Sequence, residues 1–346
     1  MQDPVAIPSK LSNGLIYTQT QAPNGTASLL LDSKAATCEL AADRVFGGKT
    51  GQTVSVDFGS VSVDVRLVSR EVAARDSYGS DGVLGIPFFE RYAVGLDYAN
   101  LTSPISVWPS DISLRNASRW LLGSRPGPLN IIPLSRGLGK YLVSVSDIGT
   151  PMNLAFSISS GISSVPAAMV TPSAWIPLGK VSTPADPRGY ADVFATDPVK
   201  IGQCHYRWGC ITSRSGISVG SLAPPFLGSE RLVVDFHNLT LYSSGIATAQ
   251  DEWEAAIQSF CLGRGYVSNQ RLIWNLDMTE GATTKQLNGE VLSIGELSSN
   301  AFLSGWRESE NLPEILSTIE KNLLVEGHAK VLIQGEPRDV QLSGGK

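Results

Sequence analysis

The sequence predicts a mainly β protein built as two related β lobes followed by a small α/β module. Three observations carry this expectation. A long unit recurs in order along the first two thirds of the chain. Within both copies apolar residues alternate with period two between closely spaced turns, the pattern of half-buried strands. Near residue 250 the alternation gives way to helical spacing. The lobes are expected over residues 5–125 and 126–246, and the module over 247–346.

The repeat is read from both of its ends. Ile7-Pro8 recurs as Ile132-Pro133, and Tyr17 with Gly25-Thr26 recurs as Tyr141 with Gly149-Thr150. Downstream, Pro87-Phe88 and Leu96 to Thr102 recur as Pro225-Phe226 and Val234 to Thr240. The separation widens along the chain, so the second copy carries insertions. Single matches arise by chance, whereas ordered matches at both ends of a unit mark a duplication.

In the first copy, strands are expected at Leu15 to Gln21, Leu29 to Leu31 and Val94 to Tyr98. Thr53 to Phe58 and Val61 to Val68 alternate around Gly59-Ser60, a hairpin signal. The second copy offers strands at Tyr141 to Val145, Ala155 to Ile158 and Leu232 to Leu241. Short helices are expected after Pro87 and from Asp111 to Leu121. In the module, Asp251 to Phe260 is amphipathic and helical. Leu312, Ile315, Leu316, Ile319 and Leu323 recur at helical spacing. Strands are expected at Arg271 to Leu276, Glu290 to Ile294, Ala329 to Gln334 and Asp339 to Leu342, with a Gly335 to Arg338 turn between the last two.

Composition narrows the function classes. Charged residues are 17% of the 346-residue chain and the net charge is −5, which argues against the Lys/Arg stripes of a nucleic-acid surface. No apolar run reaches the ~18 residues of a membrane span. No cofactor motif is present, since Gly137-Leu138-Gly139-Lys140 lacks phosphate-loop spacing and precedes a strand. Three histidines, none in a nucleophile-elbow context, leave no Ser/His/Asp arrangement. Cys204 and Cys210 are spaced for a short disulfide-closed loop, and a metal site there would need two further ligands. Met1-Gln2-Asp3-Pro4 carries no signal peptide. It reads either as a native cytosolic start or as a mature export product without its leader. Low charge and Ser/Thr/Asn/Gly-rich loops favour an exported monomer of the periplasm, cell envelope or extracellular space.

The repeat unit resembles a lobe of the pepsin/retropepsin aspartic-protease superfamily. Leu29-Leu30-Leu31-Asp32-Ser33-Lys34-Ala35-Ala36-Thr37 stands where that family has a strand ending in Asp-Thr/Ser-Gly. Asp81-Gly82-Val83-Leu84-Gly85-Ile86-Pro87-Phe88-Phe89 and Val94 to Tyr98 match its later landmarks, and Phe156 to Ser164 with Leu222 to Phe236 occupy the second-lobe places. The family cleaves peptides with two facing carboxylates that share a proton, one acting as base and one as acid. Here the first lobe keeps Asp32, but Ser33-Lys34 replaces the rest of the motif. The second lobe aligns Ser159-Ser160-Gly161, without a carboxylate. The resemblance therefore implies a vestigial site of Asp32, Ser33, Ser159 and Ser160, and a pseudoenzyme that binds extended peptide or protein segments. The alternatives are an active endopeptidase that pairs Asp32 with another carboxylate, and a purely structural exported protein.

The last stretch resembles a PDZ domain, on the segment Glu280 to Ile294 and the helix at Leu312 to Leu323. That resemblance implies capture of peptide C-termini by strand addition. The carboxylate loop would be Leu262-Gly263-Arg264-Gly265-Tyr266, with Leu312, Ile315 and Leu316 on the facing helix.

Overall fold

A computed structural model describes residues 3–22, 24–76, 79–108, 112–123, 127–146, 151–170, 175–183, 186–280, 283–307, 311–326 and 328–341. Gly149-Thr150 of the repeat, Asp111 of the expected helix, Gly281 and Ala282, Leu342 and the lobe boundary at 125–126 lie outside these residues.

The first copy supplies β1 (Val5–Ala6), β2 (Ser9–Ser12), β3 (Leu15–Ala22), β4 (Gly25–Leu31), β5 (Glu39–Ala41), β6 (Thr53–Phe58) and β7 (Val61–Val68). After α1 (Arg70–Asp76) come β8 (Gly82–Leu84), α2 (Ile86–Arg91), β9 (Ala93–Asp97), β10 (Ile105–Trp108) and α3 (Leu114–Leu122). Its own sheet runs β2-β3-β4-β8-β5-β7-β6. Here β4 lies parallel to β8, β8 antiparallel to β5, β5 parallel to β7 and β7 antiparallel to β6. Alternate residues of β7, Val61, Val63, Val65 and Leu67, are buried, as its period-two pattern requires.

The second copy supplies β11 (Leu129–Gly137), β12 (Lys140–Ser146), β13 (Met152–Phe156), β14 (Ser163–Pro166), β15 (Trp175–Ser182) and β16 (Tyr190–Thr196). It continues with β17 (Val199–Ile201), β18 (Cys204–Tyr206), β19 (Cys210–Arg214), β20 (Ser221–Leu222), β21 (Arg231–Asp235) and β22 (Thr240–Ser244). Its pairings reproduce the first lobe: β13 parallel to β20, β20 antiparallel to β14, β14 parallel to β19, β19 antiparallel to β16. Two glycines mark the same crossing in each copy. A Cβ on Gly82 would lie 2.0 Å from the Glu39 carbonyl oxygen, and one on Gly220 would lie 2.2 Å from that of Ser164.

The copies join through the run β1-β10-β9-β21-β22-β11, with β9 and β21 antiparallel at its centre, so the hairpin of one lobe answers that of the other. Arg231 crosses this seam to Asp97, with Nε 2.9 Å from Oδ2. Beneath it the core is continuous between lobes: Phe236 of the second stacks on Tyr141 at 3.8 Å and meets Phe89 of the first at 5.4 Å. The architecture is the mainly β one, with a repeated lobe and a small α/β module, that the sequence predicts. The expected single strand from Leu232 to Leu241 is divided, because Asp235 accepts from the Asn238 amide and side chain and turns the chain at Leu239, whose φ is 49°.

The module begins with α4 (Ala249–Ser259), started by a capping box between Thr248 and Asp251. It continues with β23 (Gly265–Ser268), β24 (Arg271–Glu280), β25 (Thr283–Ile294), β26 (Leu297–Ser298), α5 (Ser299–Leu303) and α6 (Leu312–Glu320). α6 widens into a π turn over Lys321–Glu326, and β27 (His328–Ile333) and β28 (Glu336–Gln341) close the sheet β23-β24-β25-β27-β28. The final turn falls on Gln334 and Gly335, both left-handed, so β28 starts at Glu336 rather than Asp339. The module shares a core with the second lobe, where Val193, Ala195 and Cys210 pack with Trp253, Phe260 and Leu316. Among the described residues no helix is long and apolar enough to cross a membrane.

Candidate functional site

Two loops meet where the lobes join. One leaves β4 at Asp32 and the other leaves β13 at Ser157. Each is tied at its root to the neighbouring parallel strand. The Asp32 amide donates to the Leu84 carbonyl and the Ser157 amide to the Leu222 carbonyl, both at 3.0 Å. Three residues on, the Ala35 amide donates to the Asp32 carbonyl at 3.2 Å, and the Ser160 amide to the Ser157 carbonyl at 3.3 Å. These matched bonds pair Asp32 with Ser157, Ser33 with Ile158, Lys34 with Ser159 and Ala35 with Ser160.

This register corrects the expected alignment of Asp32-Ser33-Lys34 with Ser159-Ser160-Gly161. The counterpart of Asp32 is Ser157, a residue fully buried behind its loop. The ladder between β13 and β20 fixes the register, and a turn carrying Ser157, Ser159 and Ser160 gives no compositional reason to choose among them. Either register leaves the second loop without a carboxylate.

Ser33 ties the loops together. Its hydroxyl donates to the Phe156 carbonyl and accepts from the Ile158 amide, each at 3.0 Å. Ile158, its counterpart, has no hydroxyl, so the crossing bond cannot be returned. Asp32 Oδ1 accepts from the Lys34 amide at 2.9 Å and from the Ser159 hydroxyl at 2.8 Å. Ser157 and Ser160 share a hydrogen bond at 2.6 Å, and the Lys34 ammonium donates to Ser160 Oγ at 3.2 Å. Asp32, Ser33, Ser159 and Ser160 are thus brought together, with Ser157 and Lys34 added to them. Burial pushes the Lys34 ammonium below its ordinary range, against the pull of Asp32, and Lys140 and Arg214 add to the lowering.

The arrangement holds one carboxylate, one ammonium and a chain of hydroxyls. It can orient a polar group and exchange hydrogen bonds with it. A serine hydroxyl cannot carry the shared proton and charge that split the roles of acid and base between two carboxylates.

The residues expected to form a peptide groove in the module are placed otherwise. Leu312, Ile315 and Leu316 are buried in the core that the module shares with the second lobe, among Trp253, Phe302 and Val193. Ile315 also borders a pocket of about 490 Å³ that Glu296, Leu297, Glu314 and Thr318 line with it. Strand β23 is covered by α4, whose Gln258 accepts from the Val267 amide at 3.4 Å. In the expected carboxylate loop, the Arg264 amide donates to the Cys261 carbonyl at 2.8 Å, Gly265 and Tyr266 pair with Trp274 and Ile273, and Leu262 and Gly263 form a turn lodged between the lobes. The expected Cys204–Cys210 bridge is not formed. All four cysteines are buried free thiols. Cys204, on β18, accepts from the Ile246 amide, while Cys210 faces the core shared with the module.

No protein-family model and no curated protein matches the chain. Among solved structures it is similar to basic 7S globulin from soybean, with 11% identity and a TM-score of 0.44 over 70% of this chain and 95% of that one. It is also similar to conglutin gamma, a basic 7S globulin from lupine seeds, with 10% identity and a TM-score of 0.43 over 73% of this chain and 97% of that one.

Proposed function

We propose that this protein is a catalytically inactive aspartic-protease-like scaffold that binds extended peptide or protein segments. The observation that carries this reading is the pair of root loops, in which Asp32 is answered by Ser157 and restrained by Ser159. Loss of one general acid or base costs about 10²–10⁴ in rate, and a dyad acting as a unit loses more. The cleft that positions substrate in a peptidase remains suited to holding a chain, with Asp32, Lys34 and Ser160 as polar contacts. The test is incubation with unfolded casein from about pH 3 to 7, the range in which a carboxylate pair holds one proton. No cleavage is expected. Cleavage abolished by Asp32→Asn would overturn the proposal in favour of a peptidase that recruits another carboxylate.

A further inference from the structure

We infer that the turn from Cys261 to Gly265 is an internal plug of the interlobe cleft, which a bound peptide must displace; this rests on the peptide-binding reading above. The turn follows α4 and reverses the chain through two successive left-handed residues, Leu262 at φ 54° and Gly263 at φ 76°. Leucine adopts that conformation only against a steric penalty, and it persists where the surroundings over-determine it. Here the surroundings are the two lobes. A Cβ on Gly14, in the β2–β3 turn of the first lobe, would lie 2.4 Å from the Leu262 carbonyl oxygen. A Cβ on Gly161, two residues past the Ser159 that holds Asp32, would lie 2.7 Å from that same oxygen. One backbone carbonyl is therefore wedged between the lobes, at a place where both walls are glycine.

Polar contacts also join the module to the first lobe. Ser12 donates to Asp277 at 3.1 Å, the Gln286 side-chain amide donates to the Leu11 carbonyl, and the Asn275 side-chain amide donates to the Tyr98 carbonyl at 3.4 Å. The Ser12 bond is solvent-exposed. The seam also carries polar atoms without partners among the described residues, Asn275 Oδ1 and the Tyr98 hydroxyl, both buried. Such atoms regain hydrogen bonds to water when the seam opens, which lowers the cost of undocking. A ligand that binds only the undocked form has its affinity reduced by the fraction of molecules in that form.

The full-length chain carrying Ser159→Cys reports cleft access through its rate of labelling by a small thiol reagent, against four native thiols that are buried. Adding Gly161→Ala forces a Cβ into the Leu262 carbonyl and should raise that rate at least tenfold. Gly161→Ala alone should bind a fluorescent pool of random decapeptides at least tenfold more tightly than the unaltered protein. Unchanged labelling, or equal measurable peptide affinity in the two proteins, overturns the plug. Faster labelling with no peptide bound by either protein supports the plug and removes the peptide-binding reading. Gly14→Ala makes the same clash from the other lobe and replaces Gly161→Ala if that variant does not fold.

Discussion

Asp32 and Ser157 occupy equivalent positions, yet only one can ionise, and the difference is open to a direct test. Ser157→Asp would bury a second carboxylate close to the first. Two such groups cannot both stay charged, so one pKa of the pair rises strongly. At pH 7 the variant should lose about 2–4 kcal/mol of stability by urea unfolding, and less near pH 4, where a proton is available to share. An equal loss at both pH values would mean that the two side chains do not sense each other. Asp81 offers the opposite case. Burial alone would raise its carboxyl, but the Ser28 amide and the Arg44 and Arg70 guanidiniums outweigh burial and hold it below the ordinary range. A depressed folded-state pKa gives stability that is fully present above the unfolded-state value of about 3.9, and is lost as pH falls through the folded-state value. Asp81→Asn should therefore lower the urea midpoint at pH 7 and have a smaller effect near pH 3; a deficit that grows on acidification would contradict this.

The strand crossings show what the sequence could and could not disclose. The repeat, the hairpin around Gly59-Ser60 and the run Leu29 to Leu31 before Asp32 were legible, because periodicity and turn residues are local properties. The crossing glycines Gly82 and Gly220 became meaningful only once Glu39 and Ser164 were seen to press on them. Ser157 was within reach: the separation of Ile7 from Ile132, carried forward from Asp32, lands on it. The serine-rich turn drew the alignment two residues on instead. The apolar face of α6 was also legible from Leu312, Ile315, Leu316 and Ile319, but periodicity says which face is buried and not what covers it. The equivalence of the crossings predicts matched effects. Gly82→Ala and Gly220→Ala each force a Cβ into a carbonyl oxygen, and each should cost at least about 2 kcal/mol by urea unfolding. A neutral result at only one of them would break the structural repeat at that point.

Across the whole molecule, the decisive feature is that the two largest cores are shared between bodies. The cluster beneath the central sheet runs from Ile7 through Phe89 and Tyr141 to Phe236 and on to Ala255 of α4. The second cluster joins β16 and β19 to the module. Trp253 stands at that junction. It is fully buried, its indole donates to the Phe302 carbonyl at 2.6 Å, and its ring meets Trp208 of the second lobe edge-on at 5.5 Å. Nearby, the Cys210 amide donates to Ser259 at 2.6 Å, and burial raises the Cys210 thiol well above its ordinary range, so it is inert while the junction holds. Removing a large buried aromatic side chain costs about 3–5 kcal/mol. In Trp253→Ala that loss should fall on lobes and module together, as one unfolding transition at lower temperature whose calorimetric and van't Hoff enthalpies agree. Labelling of Cys210 should begin at the same denaturant concentration as loss of the central sheet. A module that melts first, exposing Cys210 while the lobes keep their original midpoint, would show three loosely joined bodies rather than one fold, and the plug would then move with the whole module rather than as a turn.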